Sequence, residues 1–72
     1  MDQRYVRAKR IMEKYKTLLL ADKNVEMIGL GEWRGEPAIV AYLTYGYMRT
    51  ALPAIVEGVR VIRRDAPRYG RR

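Results

Sequence analysis

The sequence predicts an α+β domain in which an N-terminal amphipathic helix packs on one face of a three-stranded, mainly antiparallel sheet. Three observations predict it. Apolar residues recur at helical spacing over residues 2–21, two strand-length apolar runs flank a turn at residues 34–37, and a third run alternates over residues 59–64. A chain of 72 residues is long enough for one domain. We expect residues 1–64 to form it and residues 65–72 to form a flexible, disordered basic tail rich in Arg.

The helix prediction depends on a single apolar stripe. Its members are spaced by three and four residues: Tyr5, Ala8, Met12, Tyr15 and Leu19, with Ile11 and Leu18 widening the stripe. Asp2 is suited to cap the first turn, because its carboxylate accepts hydrogen bonds from free backbone N–H groups and complements the helix dipole. Cations dominate the opposite side of the helix. We therefore expect the stripe to face the sheet.

The two central strands form a predicted hairpin. Residues 25–33 are the first strand, and residues 38–45 are the second, which is apolar almost throughout and therefore expected at the centre of the sheet. Pro37 has no N–H group to donate, which places it at the start of that strand. Gly29 and Gly31 lie two residues apart and so share one strand face. A pair of glycines on one face lets another element come close, so we expect them to pack beneath the helix. A phosphate-binding loop is disfavoured, because it would need a Gly-rich turn that leads into a helix.

The alternation of side chains predicts which residues face the helix. Those predicted on the helix side are Ile39, Ala41, Leu43, Val59 and Val61. Those predicted on the opposite, open side are Val40, Tyr42, Thr44, Arg60, Ile62 and Arg64. Between the second and third strands, residues 47–51 are compatible with either a loop or a short helical turn.

The composition argues against an enzyme. The chain has no Cys and no His, and therefore lacks the commonest metal ligands and the commonest general base. The acidic residues are spread along the chain. Glu26 and Glu32, for example, are about 20 Å apart on an extended strand, too far to act on one substrate bond. We expect a non-enzymatic protein with no metal site and no cofactor.

The charge of the chain predicts an anionic partner. Lys and Arg total 15 against 8 Asp and Glu, a formal net charge of +7. Most of these cations are Arg, whose guanidinium group suits bidentate contact with phosphate. We expect binding to nucleic acid, with DNA as the first candidate, mostly through backbone phosphates and with little sequence preference. The residues expected to contact it are Tyr42, Arg60 and Arg64 on the open face, Trp33 near the edge of that face, and Arg68, Tyr69, Arg71 and Arg72 in the tail.

Of two other kinds of partner, one, a second protein, is compatible with these residues. The thin core and the apolar part of the open face also favour a self-associating or protein-interaction module, for example a homodimer in which a second copy covers the sheet. A membrane surface is disfavoured, since the apolar stripe of the helix is needed for the core of so small a domain. The expected location is the cytoplasm, with association to the nucleoid if DNA is the partner.

Three segments of the chain carry a resemblance to a known kind of domain. They are Val25-x-x-Ile28-Gly29-x-Gly31, Gly35-x-Pro37-Ala38-Ile39-Val40-x-Tyr42, and Leu52-Pro53-x-x-Val56-x-Gly58-Val59-x-Val61. Together they resemble a small helix-then-three-strand domain found in uncharacterised prokaryotic proteins. The chain departs from that pattern at Arg60, where proline is expected, and in its Arg-rich tail. The resemblance implies the same fold and no catalytic residues.

Overall fold

The first element is a helix whose start is capped by a side chain. In the computed structural model, which describes residues 2–44 and 50–67, α1 spans Gln3–Leu20. The Asp2 carboxylate accepts a hydrogen bond from the backbone N–H of Arg4 at 2.8 Å, which satisfies one of the free donors of the first turn. The predicted N-terminal helix is confirmed.

One side of α1 is buried against the sheet, and it is narrower than predicted. Its buried residues are Ala8, Ile11, Met12 and Leu19. The prediction that Leu18 widens the apolar stripe is wrong, because this residue is 65% exposed. Leu18 is rotated by about 100° around the helix axis from its fully buried neighbour Leu19, and this rotation turns it towards solvent.

The sheet has four strands in the order β1-β2-β4-β3. Their bounds are Val25–Trp33 for β1, Glu36–Leu43 for β2, Ile55–Val56 for β3 and Val59–Asp65 for β4. The pairs β1–β2 and β3–β4 are antiparallel, whereas β2–β4 is parallel. The α+β class is confirmed. The sheet differs from the prediction in having a fourth, two-residue strand and one parallel pair.

The connection between β2 and β4 explains both differences. Residues 44–58 are enough for the crossover of about a dozen residues that parallel neighbours require. This connection ends in β3, which pairs with β4 through a two-residue turn at Glu57 and Gly58, both with positive φ (47° and 83°). A strand as short as β3, two residues after Pro53, leaves no periodic pattern in the sequence.

The two tight turns of the sheet lie at the same end of the molecule. The β1–β2 turn consists of Arg34 and Gly35, whose φ angles of 50° and 82° are typical of a type I′ hairpin. β2 follows this turn, and β4 follows the Glu57–Gly58 turn. Because β2 and β4 are parallel neighbours, they begin side by side. The fold therefore brings two hairpin turns, distant in sequence, next to each other.

A single hydrophobic core lies between α1 and one face of the sheet. All five residues predicted on the helix side belong to it, which confirms that alternation. The buried cluster comprises Ala8, Ile11, Met12, Leu19, Val25, Ile28, Ile39, Ala41, Leu43, Val56, Val59 and Val61. It is continuous across α1 and all four strands, so each element depends on the others for its burial.

The two strand glycines lie on the opposite face from the one predicted. Gly29 pairs with Val40, and Gly31 pairs with Ala38, on the side of the sheet that α1 does not cover. A Cβ at Gly31 would lie 2.5 Å from Cγ2 of Val40, and one at Gly29 would lie 3.7 Å from Cε2 of Tyr42. The glycines therefore make room for side chains of β2 on the open face, rather than for the helix.

The last strand extends beyond its predicted end. Asp65 still pairs with Leu43, and the buried Ala66 donates its backbone N–H to the Leu43 carbonyl at 2.7 Å. Residues 50 and 51 are in neither helix nor strand. The rest of the 47–51 segment, and the predicted tail from residue 68 onwards, lie outside the described residues.

The β3–β4 turn is tied to α1 by polar contacts. Glu57 Oε2 accepts hydrogen bonds from Lys14 Nζ at 2.7 Å and from the Tyr15 hydroxyl at 2.8 Å. Arg7 donates to the Glu57 backbone carbonyl at 2.8 Å. The hydrogen bonds from Lys14 and Tyr15 lower the pKa of Glu57 below its ordinary value of 4.5.

This contact predicts a pH-dependent contribution to stability. A carboxylate whose pKa is lowered on folding stabilises the folded state above its unfolded pKa, and this contribution is lost as the pH falls through the folded pKa. At neutral pH we expect Glu57→Gln to unfold at a lower urea concentration than the unmodified protein. The difference between their urea midpoints should decrease as the pH falls below about 4.5, and it should disappear below the lowered pKa of Glu57. A difference in the urea midpoint that stays constant from neutral pH to well below 4.5 would show that the carboxylate charge is not its source.

Candidate functional site

The open face of the sheet carries the four predicted site residues that the structure describes. Tyr42 and Arg64 are directly paired across β2 and β4. Arg60 lies on the same side of β4, since it is an even number of residues from Arg64, and Trp33 pairs with Glu36 on the same side of the hairpin. Arg68, Tyr69, Arg71 and Arg72, also predicted to bind, lie outside the described residues.

Trp33 is in contact with two arginine side chains. Trp33 is 38% exposed, and the centroid of its ring lies 5.0 Å from the guanidinium carbon of Arg60 and 5.2 Å from that of Arg34. Both distances are within the range of cation–π attraction. Arg34 was missed at the sequence level. Its position in the turn directly after the only tryptophan of the chain is the feature that points to it.

A cleft of about 310 Å³ lies between the two hairpin turns, next to this aromatic ring. It is formed by the end of β1, the starts of β2 and β4, and the exposed Ile55 of β3. The residues that line it are Trp33, Arg34, Glu36, Pro37, Ile55, Gly58 and Arg60. Its volume is near the lower limit, about 300 Å³, of small-molecule sites in proteins. The cleft thus combines an aromatic surface, two cations and one carboxylate.

A second aromatic and cationic pair lies towards the other end of the same face. Tyr42 is half-buried on β2, and the neighbouring Arg64 on β4 is exposed. Four residues separate Arg60 from Arg64, so the two cations are about 13 Å apart along β4. This spacing is close to the rise of four nucleotides along the helix axis of B-form DNA, about 14 Å.

The surface between the two pairs is apolar. Val40 and Ile62 are Cα partners at the centre of the face, and Val40 is only 3% exposed although no helix covers it. Ile55, in contrast, is 54% exposed at the β3 edge. The open face therefore has a narrow apolar centre with a cation and an aromatic ring at each end.

Within the part of the chain that the structure describes, some of the cations form ion pairs or hydrogen bonds, and others do not. Arg4 forms an ion pair with Asp2, Lys14 forms one with Glu57, and Arg63 donates to the backbone carbonyls of residues 50 and 52. In contrast, neither Arg60 nor Arg64 forms a hydrogen bond or an ion pair with another described residue. Their N–H groups are therefore available to an external anion. Exposed cations of α1, such as Lys9 and Arg10, lie on the other side of the molecule and have the same availability.

Two other features are absent from the residues that the structure describes. Within residues 2–44 and 50–67, no group of three or more acidic side chains is arranged to hold a metal ion. No helix in these ranges is both long and apolar enough to cross a membrane. No family model matches the chain, and no curated protein or solved structure matches it either. The resemblance to the helix-then-three-strand domain stays a prediction.

Proposed function

We propose that this protein binds nucleic acid, with DNA as the first candidate, through the open face of its sheet and without catalysing a reaction. The observation that carries the proposal is the Trp33 contact with Arg34 and Arg60, together with Arg64 beside Tyr42 on the same face. Guanidinium groups with free N–H donors suit phosphate oxygens, and adjacent aromatic rings suit stacking on bases.

The charge of the whole chain supports the same partner. A net charge of +7 attracts a polyanion over a distance, and the release of counterions from the phosphates then contributes to affinity. Phosphate contacts carry no sequence information, and stacking on an aromatic ring tolerates every base, so we expect little sequence preference.

A direct test measures the fluorescence anisotropy of labelled DNA, both duplex and single-stranded, at salt concentrations from about 50 to 300 mM. Two double variants that remove the same charge are compared: Arg60→Gln with Arg64→Gln on the open face, and Lys9→Gln with Arg10→Gln on α1. The open-face pair is expected to weaken binding about a hundredfold, because each of the two lost charged hydrogen bonds contributes about 1.5 kcal/mol. The α1 pair is expected to cost much less.

Three outcomes would contradict the proposal. Absence of binding at about 50 mM salt would end it, since phosphate contacts are strongest there. Equal losses in the two double variants would show that net charge, and not the open face, holds the DNA. Loss of all binding on deletion of residues 68–72, with no effect of the open-face pair, would place the site in the tail.

Sedimentation velocity in the same buffer tests the self-association hypothesis. A second copy of the chain seated on the open face would cover Trp33 and exclude DNA from Arg60. A stable dimer that does not bind DNA would therefore favour self-association over the proposed function. A protein that stays monomeric at millimolar concentration would exclude self-association.

A further inference from the structure

We propose that the cleft between the two hairpin turns accepts one unpaired nucleobase, so that the protein selects single-stranded over duplex nucleic acid. This inference rests on the proposed function and specifies its ligand. The cleft is the place where β1, β2, β3 and β4 all contribute a lining residue next to the exposed ring of Trp33.

The chemistry of the lining divides the cleft into two parts. Trp33 and the exposed Ile55 provide the apolar surface that the faces of a base require. Arg34 and Arg60 flank the ring, and their N–H groups remain free to donate to the phosphates on either side of that base. Because both guanidinium groups lie over the ring, a base that stacks on Trp33 takes the place of one of them, and that arginine then moves to a phosphate beside the base.

Glu36 determines how a nucleotide is oriented in the cleft. Its carboxylate only accepts hydrogen bonds, and the edge of each nucleobase carries at least one N–H donor. The same carboxylate repels phosphate. A nucleotide is therefore oriented with its base towards Glu36 and its phosphates towards Arg34 and Arg60.

Duplex DNA does not satisfy this arrangement. Its bases are stacked on both faces, and a protein reaches such a face only after the base has been flipped out or unstacked. A single strand presents its bases without that cost. It also extends along the face from Arg60 towards Arg64, about 13 Å away, where Tyr42 offers a second ring.

The intrinsic fluorescence of the protein provides a site-specific readout, because Trp33 is its only tryptophan. The probes are a twelve-residue oligo(dT), the corresponding oligo(dT)–oligo(dA) duplex, and thymidine monophosphate. We expect oligo(dT) to quench Trp33 emission and to bind at least about tenfold more tightly than the duplex at equal salt. Thymidine monophosphate should bind much more weakly than oligo(dT), since it cannot reach Arg64.

Variants at the cleft test the contacts separately, with labelled oligo(dT) anisotropy as a readout that does not depend on tryptophan. Trp33→Leu is expected to weaken binding about 5- to 100-fold through the loss of stacking on one base, and Trp33→Phe should restore most of it. Arg60→Gln should weaken binding more than Arg10→Gln, which removes the same charge from α1. Circular dichroism confirms that each variant folds.

Failure of this inference is distinguishable from failure of the proposed function. The role of the cleft would be contradicted if the duplex bound as tightly as oligo(dT), or if oligo(dT) bound without a change in Trp33 emission. Either result would leave the proposed binding of nucleic acid intact. Equal affinity for thymidine monophosphate and oligo(dT) would identify a site for free nucleotides instead. Absence of binding to all three probes would overturn both proposals.

Discussion

Replacing Ile39 by alanine is expected to destabilise the domain by about 2–5 kcal/mol. Ile39 has no exposed surface, and it lies at the centre of the sheet between Leu30 on β1 and Val61 on β4. Truncation removes buried apolar contacts and leaves a cavity that these neighbours fill only in part. Since a domain of this size rarely has more than about 3–5 kcal/mol from its core, a large fraction of the variant should be unfolded at room temperature.

A series at the same position provides the control. Ile39→Val removes one methylene group and should cost about 0.5–1.5 kcal/mol, whereas Ile39→Ala should cost several times more. Urea denaturation followed by circular dichroism and by Trp33 fluorescence measures both. Equal stability of the unmodified protein and Ile39→Ala would show that β2 is not at the centre of the core.

Replacing Gly31 by alanine is expected to destabilise the protein by about 1–3 kcal/mol, the usual cost of overpacking. The new methyl carbon would lie 2.5 Å from Cγ2 of Val40, and that branched side chain is itself almost fully buried. Relief requires either a strained Val40 rotamer or a shift of β1 away from β2. The same displacement would move Trp33, two residues further along β1, relative to Arg60.

Gly29→Ala is the matched control on the same strand face. Its methyl carbon would make only an ordinary contact with Tyr42, at 3.7 Å. Because alanine restricts the unfolded chain more than glycine does, this variant should be neutral or more stable by about 0.4–1 kcal/mol. Thermal unfolding of the two variants separates a specific clash at Gly31 from a general intolerance of side chains on this face. Equal destabilisation by both substitutions would contradict the assigned register.

Local patterns in the sequence were sufficient to predict the helix and most of the strands. The period of the apolar residues and the Asp2 cap predicted α1, because both depend only on spacing along the chain. In the same way, the turn at Gly35 predicted the hairpin of β1 and β2, and the strict alternation of residues 59–64 predicted β4. That alternation also placed Arg60 and Arg64 on the face away from the helix, where the structure has them.

The faces of β1 were not predictable by the same means. Its side chains do not alternate cleanly, since a register irregularity lies between Val25 and Met27. A glycine has no side chain whose polarity would show which face it occupies. The predicted position of Gly29 and Gly31 beneath the helix was wrong for this reason, and only pairing with β2 shows that they lie on the open face.

Local patterns predict the helix and three of the strands, and the composition shows that the chain lacks Cys and His and is strongly basic. The parallel pairing of β2 with β4, the additional strand β3 and the cleft are visible only in the folded chain. Strand order depends on the path of residues 44–58, and no local pattern encodes that path. The contact between Trp33 and Arg60 follows from this order, since parallel strands begin at the same end of the sheet and so bring the two hairpin turns together.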